Sequence, residues 1–188
     1  MKDLKDSEER KNEFIDVAEK LFKENGIVDT TVNAIVKDMN VAKGLFYYYF
    51  KSKDDVIDAI SEKYNEIFNE MMQEKMDQPT YDERLQQFIE NCVRSFRKLN
   101  EHLNGQENAD LTALVNKSKQ EAMKVSFDGL TQLFIEGNEL EELDISAPRQ
   151  YSEILISGIN TLVEGNLTSD EDIVDMIMKL IASSRKVK

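Results

Sequence analysis

Apolar residues return every three or four positions along most of this chain, the periodicity of helices that each bury one stripe. Phe14, Val17, Ala18, Leu21 and Phe22 make such a stripe and predict a first helix from about Glu8 to Asn25, closed by Gly26. Thr30-Thr31 is an N-cap signal for a second helix that carries Val32, Ile35, Val36 and Met39. Asn40 then breaks the pattern, and asparagine tolerates the left-handed backbone that a tight helix-to-helix turn needs. A third helix is expected from about Ala42 to Tyr49, with Phe46 and Phe50 on one face, placed to pack on Ile35 and Met39. Ser52 caps a fourth helix, with Asp54 and Asp55 at its positive end. Its apolar series Ile57, Ile60, Tyr64, Ile67, Phe68 and Met71 continues until Gln78-Pro79. From Lys53 to near Met76 such a helix is about 35 Å long, enough to join two domains.

The second part of the chain continues in the same period. Thr80 and Glu83 form a capping box for a fifth helix that ends near Asn104-Gly105. A short helix at 110–117, a longer one at 119–135 and an acidic loop at 137–146 follow. Pro148 opens another helix to about Glu164, Gly165-Asn166 ends it, and Thr168 with Glu171 caps the last one. Two prolines, seven glycines and no alternating run of Val, Ile and Thr make this an all-α chain. The expected domains are residues 1–53, a three-helix unit, and 54–188, a helical bundle.

One segment does not fit a single buried stripe. Of the fifteen Phe and Tyr residues, five are consecutive, Phe46 to Phe50. In a helix successive side chains turn by about 100°, so five in a row cover every face and some must look outward. Three of them are tyrosines, whose hydroxyls suit a boundary that is half apolar and half wet. Lys43, Lys51 and Lys53 flank the run, which points to an anionic partner such as a phosphate backbone. Two short helices with a tight turn, the second displaying Lys and Tyr, describe a helix-turn-helix. The plainer alternative is a helical hairpin whose rings are all core.

Charge agrees once it is divided along the chain. The net charge is −13, yet residues 1–53 hold ten basic and ten acidic side chains, so all of the excess lies beyond them. From Thr30 to Lys53 there are four lysines against Asp38 alone. A positive island on an acidic body suits a small DNA-reading head.

The order first helix, Thr30-Thr31-Val32, helix-turn-helix, and Tyr47-Tyr48-Tyr49-Phe50-Lys51-Ser52-Lys53 running into a long fourth helix resembles the tetracycline-repressor (TetR) family, over roughly residues 10 to 60. The resemblance implies an N-terminal DNA-binding domain and a C-terminal ligand-binding and dimerisation domain. It implies a homodimeric transcriptional regulator, usually a repressor, which a small molecule releases from a near-palindromic operator; the aromatic and methionine residues of the second domain point to a hydrophobic one. By the same similarity Thr31, Tyr47, Tyr49 and Lys53 hold phosphates. Lys43, Gly44, Leu45 and Tyr48 meet base edges, and Asn33 does either. Three residues depart from the family pattern: Asn40 stands where glycine is usual, Val36 where alanine is common, and Leu45 where Thr or Ser is frequent. Leucine gives up a hydrogen bond but can meet a thymine methyl.

Inward positions of the second domain, Phe68, Phe88, Phe96, Met123, Phe127 and Tyr151, describe either an effector pocket or a dry core. Ile154, Leu155, Ile159, Leu162 and Val163, with Ile173, Val174, Ile177, Leu180 and Ile181, are more apolar than two helices of a small domain require. They are the expected dimer interface, a four-helix bundle of two copies. No catalytic constellation, cofactor motif or metal-ligand spacing is legible, so no enzyme is expected. His102 reads as a solvated surface residue, and Cys92, at core-like spacing with Phe88, Val93 and Phe96, as a buried structural thiol. No apolar stretch approaches a membrane span, the charged start lacks a signal-peptide core, and the single cysteine suits a cytoplasmic protein. The competing class is a helical adaptor that binds proteins and not DNA, which net acidity and the methionines 71, 72 and 76 would fit.

Overall fold

The computed structural model describes residues 2–103 and 109–186, with side chains at 7–101 and 118–186. His102 and the side chains of the expected 110–117 helix fall outside the latter. Eight helices are described: α1 (Lys2–Asn25), α2 (Val32–Asp38), α3 (Lys43–Tyr49), α4 (Lys53–Gln73), α5 (Tyr81–Leu103), α6 (Ala109–Glu139), α7 (Pro148–Gly165) and α8 (Asp170–Ala182). The chain is all-α: among the described residues the only β contact is an isolated bridge between Leu143 and Arg185.

Several boundaries differ from expectation for local reasons. α1 begins at Lys2, several residues earlier than its apolar stripe. The helices expected at 110–117 and 119–135 are one, α6, which also takes in the first residues of the expected loop. α4 ends at Gln73, so it spans about 31 Å. Buried Asn91 of α5 receives its end, the side-chain amide donating to the carbonyls of Met72 and Glu74 at 3.2 and 2.8 Å. Ser169, and not Thr168, caps α8: its hydroxyl accepts from the Asp172 N–H at 3.1 Å. The Thr80–Glu83 capping box forms as expected, with Glu83 accepting from the Thr80 N–H at 3.1 Å.

Two compact units result. The head runs from Met1 through Tyr64, and the body comprises Asn65–Asn104 and Lys119–Lys188. The boundary therefore falls inside α4, past the expected one at residue 53, because Val56, Ala59 and Ile60 of α4 belong to the head's apolar cluster. That cluster is centred on Phe14, whose ring meets Phe46 edge-on at 5.8 Å and Phe50 at 6.3 Å. Polar pairs tie α4 to α1 as well. Lys63 reaches Asp16 at 2.6 Å, and the Tyr64 hydroxyl donates to Glu19, which also accepts from Lys23. Burial alone would raise the Glu19 carboxyl, but the hydrogen bonds from Lys23 and Tyr64 and the charges of Lys23 and Lys63 outweigh it and hold it below its ordinary value.

The body packs α7 and α8 on α5. Leu155, Ile159 and Val163 of α7 and Ile173, Ile177 and Ile181 of α8 are strict four-residue series, and all six are buried. Arg97 of α5 fixes the turn between these helices: it binds Asp170 at 2.6 and 2.9 Å, the Asn166 side chain at 2.7 Å, and the carbonyls of Val163 and Thr168. Cys92 is fully buried, and desolvation pushes its thiol up to about 12, so it is held as an inert thiol.

Candidate nucleic-acid interface

The helix-turn-helix is assembled by two local devices. Thr31 caps α2 by accepting from the Ala34 N–H at 3.2 Å, while the buried Thr30 hydroxyl lies 2.7 Å from the Gly26 carbonyl and 3.1 Å from that of Leu21. At the other end of α2, Asn40 takes the left-handed conformation, φ 53°. Its N–H donates to the Lys37 carbonyl and the Val41 N–H to that of Val36, at 3.1 and 3.0 Å. This is the paired closure usually built on glycine, here supplied by asparagine. It reverses the chain in the residues Met39 to Ala42 and presents α3.

α3 has three sides, set by its period. Phe46 and Phe50 enter the core. Leu45 and Tyr49, four apart, turn toward α1: both are half-buried, and Tyr49 packs on Phe14 at 5.8 Å. With Tyr48 they line a groove of about 510 Å³ whose other wall is Ser7, Glu9, Arg10 and Glu13 of α1. The third side is open. Tyr47 is 51% and Tyr48 75% exposed, with Lys43 and Gly44 beside them. The Lys43 ammonium stands 5.8 Å over the Tyr47 ring, a cation–π contact that aims the charge along the helix face. A Cβ on Gly44 would meet nothing within 4 Å, so no contact inside the chain calls for glycine there.

Of the expected contact residues, Thr31, Asn33, Lys43, Gly44, Tyr47 and Tyr48 are thus brought to solvent on α2 and α3. Leu45 and Tyr49 are half-buried on the groove between α3 and α1, with Tyr49 packed on Phe14. Lys53 is committed elsewhere: its ammonium donates to the carbonyls of Ile27, Val28 and Thr30, at 2.5, 3.3 and 3.1 Å. Lys51, expected as one of the lysines flanking the aromatic run but given no contact of its own, is exposed in the turn between α3 and α4. Asp55 holds that turn, accepting from the Lys51 N–H at 2.7 Å and from the Ser52 hydroxyl at 3.0 Å. The signal available for Lys53 was its place as first residue of α4, where the helix dipole disfavours a cation unless carbonyls receive it.

The body residues are also redistributed. Phe68, Phe88 and Phe96 are buried in one apolar cluster, with Met123, Phe127 and Tyr151 half-buried at its edge. The expected dimer set needs correction, because Leu155, Ile159, Val163, Ile173, Ile177 and Ile181 face their own core and have no surface to offer a partner. Leu162 and Val174 are half-buried, while Ile154 and Leu180 are 69% and 48% exposed. Among the described residues no helix is long and apolar enough to cross a membrane, and no group of His, Cys, Asp and Glu is placed to hold a metal ion.

A family model described as bacterial regulatory proteins, tetR family, matches residues 14–60, the helices just described. The HTH-type transcriptional regulator HbdR of Aromatoleum sp. is 44% identical over 50 residues, 27% of this chain and 22% of that protein, so the match spans about a fifth of the relative's length. The whole fold is found in a transcriptional regulator of the TetR/AcrR family from Thermobifida fusca, at TM-score 0.64 and 24% identity, covering 93% of this chain and 97% of that one. It is found again in FadR of Bacillus subtilis, solved in complex with stearoyl-CoA, at TM-score 0.57 and 22% identity, covering 91% and 97%. The head, residues 14–60, is thus similar to the tetR family of bacterial regulatory proteins, and the order of the eight helices is the fold of TetR/AcrR-family regulators.

Proposed function

We propose that the protein is a DNA-binding transcriptional regulator, a repressor that grips an inverted-repeat operator as a homodimer and lets go when a small hydrophobic molecule enters its body. The observation that carries the DNA-binding part is the open side of α3: Lys43 stacked over Tyr47, the exposed Tyr48, and Gly44 with free space around it. Two exposed tyrosines and a lysine beside a glycine that nothing inside the chain calls for suit a surface that closes against another molecule. The local excess of lysine suits that molecule being DNA.

The homodimer rests on what α7 and α8 leave outside. Ile154, Met176 and Leu180 are exposed on two adjacent helices, and Gly158 on the same stretch leaves room for a close approach. Ligand release rests on the body's aromatic and methionine cluster, which adapts to varied apolar shapes. FadR of Bacillus subtilis, similar in fold, carries stearoyl-CoA. The acidic remainder of the chain favours an uncharged or cationic molecule.

Anisotropy titration of a labelled duplex tests the DNA reading. Lys43→Ala with Tyr48→Ala should weaken binding by tenfold or more, about 1–3 kcal/mol for a good base contact, without changing the helical circular-dichroism spectrum. Unchanged affinity in that double variant would sink the reading. An adaptor that binds only proteins would show no affinity for the duplex at all.

A further inference from the structure

Taking the DNA-binding function above as given, we infer that the two lysines flanking Ser52 divide the work opposite to what their places in the motif suggest: Lys51 grips phosphate, and Lys53 is a positioning residue that staples the α1–α2 loop to the start of α4.

Lys53 has three N–H donors and three carbonyl partners, on Ile27, Val28 and Thr30. An ammonium has no further donor to give a phosphate unless it leaves one of these. All three carbonyls belong to the loop that ends in Thr31, the N-cap of α2. The loop has few other anchors of this kind: the buried Thr30 hydroxyl sits on the Gly26 and Leu21 carbonyls, and Val28 is exposed. Removing the ammonium would leave three carbonyls without their donor and free the segment that sets the direction of α2, and through it α3. The side chain is half-buried, consistent with a residue facing its own protein.

Lys51 has the opposite surroundings. It is exposed and makes no ion pair among the described residues, while its backbone is fixed because Asp55 accepts its N–H at 2.7 Å. An exposed ammonium on an anchored backbone, one residue past the C-cap of α3, is placed to neutralise a phosphate beside the groove that α3 enters.

Two measurements separate these roles. The first is the salt dependence of binding to a mixed-sequence duplex of about 30 base pairs, since each phosphate contact contributes a slope of about −0.9 in log K against log salt. The second is amide hydrogen exchange of residues 27–31 in the free protein. Lys51→Ala should make the slope shallower by about 0.9 per subunit and leave exchange untouched. Lys53→Met keeps the apolar stem and removes the charge; it should speed exchange at 27–31 and weaken binding at every salt concentration without changing the slope. If Lys53→Met makes the slope shallower and leaves exchange unaltered, or if Lys51→Ala does not move the slope, the assignment is overturned. Exchange is read without DNA, so a wild-type protein that binds no duplex would end the function and the Lys51 role together, while the staple would still stand or fall on its own measurement.

Discussion

Asn40 holds a left-handed backbone at φ 53°, and the turn of the helix-turn-helix depends on it. That conformation costs an ordinary L-residue about 1–2 kcal/mol, less for asparagine and nothing for glycine. Asn40→Ala should therefore lower stability by about 1 kcal/mol in urea denaturation, while Asn40→Gly should lower it not at all. Glu19 gives a second test at the same scale. Its folded carboxyl lies below its ordinary value, so the stability it contributes is complete above that value and is lost as pH falls through the lowered one. Glu19→Gln should lower the urea midpoint at neutral pH, and the gap to wild type should close as the solution is acidified through the carboxylate range. A gap that stayed constant with pH would mean the Glu19 network is not what ties α1 to α4. Asn40 was legible in the sequence because a turn residue acts through its own backbone. Lys53 was not, because its partners lie 23 to 26 positions away and are backbone oxygens, which leave no mark in side-chain pattern.

α3 shows how much an element's period can decide. The five aromatic residues divide as a helix must divide them: Phe46 and Phe50 in, Tyr47 and Tyr48 out, Tyr49 between. The period alone marks the outward pair but not that Tyr49 would pack on Phe14 of α1, since no spacing encodes which neighbour packs on a flank. Gly44 tests whether the open side is functional. A helix gains up to about 1 kcal/mol when glycine becomes alanine, and the new methyl would meet nothing in the chain. Gly44→Ala should thus raise the melting temperature yet weaken duplex binding. A variant that is more stable and binds as well as wild type would show that nothing approaches this side closely. On α7 and α8 the sequence displayed apolar excess without saying which part of it faces inward. The strict four-residue series, Leu155-Ile159-Val163 and Ile173-Ile177-Ile181, was the readable clue, and it marks the protomer core.

The whole molecule comprises a head with a local excess of lysine and an acidic body that leaves Ile154, Met176 and Leu180 in water. Ile154→Asp with Leu180→Asp should give folded monomers in light scattering, since neither side chain fills the core. Ile159→Asp should instead unfold the body, because it buries an unpaired carboxylate. A double variant that remains dimeric would move the interface elsewhere. The all-α class and the three-helix head could be read from caps and periods, but the head's extent could not. Its boundary falls within one uninterrupted helix, after Tyr64, where only packing and not composition changes. The most direct test of the central claim is to let the purified protein capture fragments of genomic DNA and to sequence what is retained. Fragments sharing one inverted repeat should be enriched, with half-sites spaced by about one helical turn or a multiple of it, and that enrichment should be lost when Lys43 and Tyr48 are both changed to alanine. Retention of no fragments above background, or the same enrichment in the double variant, would contradict it.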